Sequence, residues 1–167
     1  IINKEEISFK FLSKNSNISL FLGEDDLSEF IRNEEVAKLA SEFAVIPEVR
    51  EYLFKIQRAF LDKGKGLIAD GRDMGSVVFP NANLKFFLDA APEVRAKRRY
   101  LELQKRGQEV NMHDLINDIV ERDKKDRTRD LSPLIKTEDS ILLDSTNLDQ
   151  ESILTEALQH IKERNIL

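Results

Sequence analysis

Three short apolar runs constrain the fold of this chain more than any other feature. They are GLIA at 66–69, LKFFLDA at 84–90 and SILLDS at 140–145, and each ends in an acid or a small residue. Runs of this length are typical of strands buried on both faces of a mostly parallel sheet. Helical patterns separate them, so we predict an α/β protein.

The remaining elements follow from the periodicity of the apolar residues. Residues 5–22 alternate apolar and polar on both sides of SKNSN, which predicts an antiparallel hairpin. A pair of helices is predicted next, the second of them beginning at Pro47 and ending at KGKG, 63–66. The later helices are predicted at 92–106, 111–129 and 149–164.

Composition narrows the classes of partner. The 167 residues include 26 Lys and Arg against 31 Asp and Glu, a formal charge of -5, which argues against nucleic acid and anionic membranes as partners. The chain has no cysteine, and His113 and His160 have no partner pattern, so no metal site is predicted. No apolar run could span a bilayer, and we expect a cytoplasmic protein.

The segment ADGRDMG, 69–75, directly follows the first predicted strand. Arg72 stands between two glycines there, so a ligand could approach the backbone while the guanidinium binds a phosphate or a carboxylate. Alternatively, Asp70, Arg72 and Asp73 form a turn with local salt bridges. The residues alone leave both interpretations open.

Two helical segments also concentrate charge. In ERDKKDRTRD, 121–130, the residues Arg122, Asp126 and Arg129 share one helix face, where the carboxylate could brace both arginines. A solvated face with weak pairs explains the same pattern. A second arginine cluster could bind a polyphosphate or only keep an exposed helix soluble. It comprises Arg95, Arg98 and Arg99.

Taken in order, several segments resemble bacterial cytidylate kinases, which phosphorylate CMP and dCMP with ATP. These segments are GLIADGRDMGSVVFPNANLKFFLDA, the arginine-rich helix after it, ERDKKDRTRDLSPL and ILLDST. The resemblance implies a parallel-sheet nucleoside monophosphate kinase fold of the P-loop NTPase type, with a small antiparallel β insert. It divides the chain into a monophosphate-binding part, 1–62, and a core α/β part, 63–167, with a lid at about 100–130.

The resemblance also implies roles for individual residues. Asp73 is expected at the cytosine ring and Arg72 at the CMP phosphate. The other implied substrate contacts are Ser41 and Arg50 for the base, Arg122 and Asp126 for the sugar, and Arg129 for the phosphate.

A further set of residues is implied for the transfer of the phosphoryl group. The candidate catalytic residues are Arg72, Arg129 and Asp70, and the candidate donor contacts are Arg95 and Arg99. ATP with Mg²⁺ is the implied donor, and no covalent nucleophile is needed because phosphoryl transfer depends on alignment and charge stabilisation. We expect a monomer.

One family motif is absent from the sequence. None of the six glycines begins the pattern G-x-x-x-x-G-K-[ST], and residue 1 is Ile. We therefore expect the N-terminal strand and phosphate loop to be missing from this chain, and the chain alone to be inactive. Two alternatives to a CMP kinase stay open: a kinase for UMP or AMP, and a nucleotide-binding module that does not catalyse.

Overall fold

A computed structural model describes residues 7–12, 17–31, 34–63 and 66–166. The chain divides into two compact units, Ile1–Val49 and Arg50–Leu167. The strands are β1 (Ile7–Leu12), β2 (Asn17–Leu22), β3 (Asp25–Asp26), β4 (Phe86–Asp89) and β5 (Ile141–Asp144). The α-helices are α1 (Glu34–Phe43), α2 (Pro47–Ala59), α3 (Pro92–Lys105), α4 (Met112–Thr128) and α5 (Gln150–Glu163).

The first unit contains the predicted hairpin. β1 and β2 pair antiparallel, with Ile7 opposite Leu22 and Leu12 opposite Asn17, so the hairpin prediction is confirmed. The turn at 13–16, like Gly64 and Lys65 of the predicted helix stop, lies outside the described residues. Gly23 then has a φ of 61°, a left-handed conformation that suits glycine and lets the short strand β3 fold back onto β2.

The second unit contains a parallel pair of strands. β4 and β5 align Phe86 with Ile141 and Asp89 with Asp144, which confirms the strands predicted in 84–90 and 140–145. Parallel strands need a long crossover connection, and α3 and α4 occupy it. The two carboxyl ends therefore meet at one edge of the sheet.

The strand predicted at 66–69 is wrong. Residues 66–70 have no regular structure, and Ile68 is 98% exposed. A strand is stable only beside another strand, and no strand of the described ranges pairs with this segment. The prediction that the other two strands are buried on both faces is also wrong, because Leu88 and Leu142 are 63% and 50% exposed.

The last three helices, α3, α4 and α5, lie at the predicted places, and local signals explain their bounds. α3 begins with Pro92 and ends before Gly107, whose φ is 73°. Asn111 and Asp149 cap α4 and α5 by accepting backbone N–H bonds. α3 and α4 pack through a buried cluster of Ala96, Leu103 and Leu115. Within the described ranges, no helix is both long enough and apolar enough to cross a bilayer.

Candidate functional site

The segment that carries Arg72 and Asp73 leads into one wide helical turn, Met74–Val78. In this π-type turn the N–H of Val78 donates to the carbonyl of Asp73 at 3.1 Å, and the N–H of Phe79 donates to Met74 at 2.7 Å. Turns of this type are rare in proteins, and those that occur often lie at functional sites. The bond from Val78 holds the backbone carbonyl of Asp73, and Asp73 is 7% exposed.

The carboxylate of Asp73 is paired with a residue from the preceding helix. Arg50, on α2, donates from its guanidinium to Asp73 Oδ2 across 23 residues of sequence. Both side chains are largely buried. Because a buried carboxylate is stable only with a hydrogen-bonded partner, this pair sets the orientation of the Asp73 side chain.

The neighbouring residue, Arg72, reaches a different helix. Its Nε donates at 2.8 Å to Oδ2 of Asp126 on α4, although the two residues are 54 positions apart. Oδ1 of the same carboxylate lies 3.5 Å from Nη1 of Arg129, whose Nε donates to the carbonyl of Ser132 at 2.7 Å. The Asp126 side chain is only 5% exposed. Asp126 is therefore a buried bridge between two arginines.

This set of five residues, which we call the arginine cluster, has the charge of an anion site. It comprises Arg50, Arg72, Asp73, Asp126 and Arg129. Three guanidinium groups against two carboxylates leave one net positive charge. The side chain of Arg72 is 45% exposed, and its two Nη groups make no hydrogen bond to the described residues. The cluster can therefore offer a guanidinium edge to a phosphate or a carboxylate.

The other predicted acceptor residues do not join these contacts. Asp70 and Arg122 are exposed, and their side chains make no hydrogen bond or ion pair with any described residue. Of the two interpretations of this helix face, bracing by Asp126 holds for Arg129, while Arg122 is exposed and Arg72 is the second partner of the carboxylate. Ser41 lies half-buried on α1 in the first unit.

Arg95 and Arg99, the predicted donor contacts on α3, each form an ion pair with a carboxylate of the protein. The Nη1 and Nη2 atoms of Arg95 donate to both carboxylate oxygens of Asp123 at 3.0 and 2.5 Å, and its Nε donates to Ala90. The hydrogen bonds to Asp123 raise the pKa of Arg95 above its ordinary value. Arg99 donates to Glu102 at 2.9 Å. In this conformation three of the five N–H groups of Arg95 are engaged, and one N–H on each Nη atom is left for a donor phosphate.

Sequence reasoning missed two residues that the structure places near these groups. Asp123, the partner of Arg95, lies 28 residues away in sequence, and no local pattern indicates the pair. Arg58 on α2 donates to the carbonyl of Val78 at 2.6 Å. The sequence does give a weak indication of Arg58, because residues eight positions apart lie on the same face of a helix, here the face that carries Arg50.

The fold and the cluster together define a class of protein: an α/β protein with a cationic cluster of side chains that suits an anionic ligand. A family model described as cytidylate kinase matches residues 1–163. The cytidylate kinase of Actinobacillus succinogenes is 46% identical over 159 residues, which cover 95% of this chain and 70% of that protein. Those of Enterobacter sp. (strain 638) and Citrobacter koseri are each 48% identical over 158 residues, 95% of this chain and 69% of theirs. The chain belongs to the cytidylate kinase family.

Proposed function

We propose that this protein is a nucleoside monophosphate kinase that transfers the γ-phosphoryl group of ATP to CMP or dCMP, giving CDP or dCDP. The observation that carries the proposal is the arginine cluster, in which adjacent residues, Arg72 and Asp73, bind partners on two helices. One residue is suited to a phosphate and the next to a base, so the cluster matches the two ends of a mononucleotide. The relatives named above support the same activity.

Asp73 is proposed as the residue that recognises cytosine. An ionised carboxylate only accepts hydrogen bonds, and the exocyclic amine of cytosine donates them. Uracil carries a carbonyl oxygen at that position, so it would meet the carboxylate with two acceptors and no proton between them. Arg50 holds the carboxylate in place and, with Ser41, is a proposed base contact.

Arg72 and Arg129 are proposed to bind the acceptor phosphate. Both are attached to Asp126, so the phosphate would meet guanidinium groups that are already held by one carboxylate. Charge-assisted bonds from two arginines align the attacking oxygen and reduce its repulsion from the donor phosphates. Arg122 and Asp126 are the proposed sugar contacts, and Asp70 is kept as a candidate catalytic residue.

ATP with Mg²⁺ is the proposed donor, and Mg²⁺ would supply neutralisation of the donor phosphates when bound. Arg95 would hold the donor phosphates with the two N–H groups that Ala90 and Asp123 leave unused. The described ranges contain no group of three His, Asp or Glu residues arranged for a metal ion. We derive no step through the donor or the metal. Arg95 and Arg99 stay proposed donor contacts.

The finer features of the family fold are also proposals. We assign the hairpin of β1 and β2 to the antiparallel insert of the monophosphate-binding part. A cytoplasmic location, a monomeric state, the boundary at residue 62 and inactivity of residues 1–167 alone remain predictions from the sequence.

Calorimetric titration tests the proposed substrate. CMP and dCMP should bind more tightly than UMP, because uracil has no amine for Asp73, and more tightly than AMP, because the amine of adenine is carried on a larger purine ring. Preference for UMP or AMP would reject the cytosine assignment. A coupled assay for CDP, with ATP and Mg²⁺ in excess, then tests transfer. CMP binding without CDP formation would support the alternative of a module that does not catalyse.

A further inference from the structure

Helix α2 contacts the segment 73–79 at two points. Near the beginning of the helix, Arg50 pairs with Asp73. Eight residues later, a rise of about 12 Å along the helix, Nη1 of Arg58 donates to the carbonyl of Val78 at 2.6 Å. The two contacts thus lie at opposite ends of the π-type turn.

Arg58 is held by more than this hydrogen bond. Its guanidinium carbon lies 5.9 Å from the ring centroid of Phe54 and 5.8 Å from that of Phe79. Cation–π contacts of this geometry add attraction on top of a charge-assisted hydrogen bond. Phe54 is on α2 and Phe79 follows the turn, so Arg58 joins the helix to the turn.

The turn transmits this attachment to Asp73. The carbonyl of Asp73 accepts from Val77 and Val78 at 2.9 and 3.1 Å, so the two ends of the turn are bonded to each other. Val78 itself is 2% exposed and cannot shift without disturbing its packing. A single attachment at Arg50 would leave α2 free to pivot, whereas two attachments fix its orientation.

We propose that Arg58 is a positioning residue for base recognition: it holds α2 against the turn so that Arg50 meets Asp73 and aims its carboxylate. The step to base recognition rests on the proposed function, while the effect on the Arg50–Asp73 pair does not. The contacts of Arg58 are to Val78, Phe54 and Phe79, so its effect on Arg50 and Asp73 passes through the helix and the turn.

The first experiment measures the Arg50–Asp73 pair in the free protein. The variant Arg58→Ala removes the hydrogen bond and both ring contacts. The matched control is Lys55→Ala, on the same helix, which removes an exposed pair with Glu51. The side-chain Nε–Hε resonance of Arg50 should shift toward that of free arginine in Arg58→Ala and stay unchanged in Lys55→Ala. An unchanged Arg50 resonance in Arg58→Ala would overturn the proposal.

The second experiment measures the ratio of CMP to UMP affinity by calorimetry. We expect Arg58→Ala to reduce this ratio roughly tenfold, about the size of one good base-edge contact. General destabilisation would weaken both nucleotides equally and leave the ratio unchanged. Arg58→Lys keeps a cation between the rings, so it should restore part of the ratio.

The outcomes separate the two proposals. If the unmodified protein does not prefer CMP, the proposed function fails, and the Arg50 resonance still decides whether Arg58 positions the pair. If the protein prefers CMP and folded Arg58→Ala keeps the full ratio, the role of Arg58 in recognition is wrong. If Arg58→Ala does not fold, Arg58→Lys decides. A CMP-to-UMP affinity ratio below that of the unmodified protein supports the role of Arg58, and an unchanged ratio overturns it.

Discussion

Two carboxylates of the second unit each accept from two guanidinium groups, yet one is buried and the other is exposed. Asp126 binds Arg72 and Arg129 and has 5% of its side chain exposed. Glu102 accepts from Arg99, three residues before it on α3, at 2.9 Å and from Arg106, just past the end of the helix, at 2.8 Å, and its side chain is 46% exposed.

The difference in burial between Asp126 and Glu102 indicates that the charge of Asp126 serves a purpose other than stability. Exposed pairs such as those of Glu102 contribute about 0.2–1 kcal/mol and form readily between helix neighbours. A buried ionic group loses several kcal/mol of hydration per ion, which its pairing often only offsets. The Asp126 bridge also joins residues 54 positions apart, so local helix propensity does not explain it. We infer that ligand binding explains it.

The largest expected effect is that of Asp126→Ala on stability. This change leaves Arg129 buried without its carboxylate, and removing one partner of a buried pair costs about 3–5 kcal/mol. The matched control, Glu102→Ala, also removes a carboxylate from two arginines and should cost about 0.2–1 kcal/mol. Urea denaturation measures both. Equal losses of unfolding free energy in the two variants would show that burial of Asp126 makes no difference to its contribution.

The next effect concerns the phosphate. Arg129→Ala should weaken CMP binding by about 1.5–3 kcal/mol, the range for hydrogen bonds to charged groups, and should leave cytidine binding nearly unchanged. Arg127→Ala is the control, because Arg127 lies on α4 in an exposed pair 3.7 Å from Asp89. Calorimetry with both ligands gives the two affinities. A loss shared equally by CMP and cytidine would remove Arg129 from the phosphate site.

A similar or slightly smaller effect is expected at the base. Asp73→Ala should weaken CMP binding by about 1–3 kcal/mol because the cytosine amine loses its acceptor. UMP, which gains nothing from the carboxylate, should not lose affinity. Asp118→Ala changes an exposed acid of α4 and serves as the control. Unchanged CMP affinity in Asp73→Ala would exclude Asp73 as the base contact.

The smallest effect should appear at a pair with one buried and one exposed member. Lys85 is 7% exposed and its Nζ lies 2.7 Å from Oδ2 of Asp139, whose side chain is 61% exposed. The hydrogen bond from Lys85, with one from Thr137, lowers the pKa of Asp139 below its ordinary value of 3.8. The pair therefore stabilises the fold above that value and loses this contribution as the pH falls through the lowered pKa.

The measurement is the unfolding midpoint of Asp139→Asn against the unmodified protein over this pH range. The variant should be less stable at neutral pH. The difference in stability should vanish in acid, because protonated Asp139 is then uncharged, as asparagine is at every pH. Glu138→Gln, at an adjacent exposed position, is the control. A difference that stays constant down to the lowest pH would contradict the role of the charge.

Much of the second unit is predictable from sequence because its signals are local. The apolar runs at 84–90 and 140–145 indicate β4 and β5, and Pro92 and Gly107 mark the bounds of α3. The strand expected at 66–69 fails because strand formation depends on a neighbour, which the run itself does not encode.

The site divides in the same way. The pair of Asp126 and Arg129 is three residues apart and follows from helix geometry. The contact between Arg72 and Asp126 depends on how α4 packs, so spacing could suggest Arg122 as the partner instead. The family resemblance alone predicts Arg72 and Arg129 at one site, because it carries tertiary information that periodicity lacks, and in the structure both bind Asp126.

We propose that the arginine cluster binds one pyrimidine mononucleotide, and a crystal structure of the protein grown with CMP is the measurement that decides this. The phosphate should lie within hydrogen-bond distance of Arg72 and Arg129, and the cytosine amine should lie on the Asp73 carboxylate. CMP bound elsewhere, with Arg72, Asp73 and Arg129 still bonded only to protein groups, would rule this binding site out.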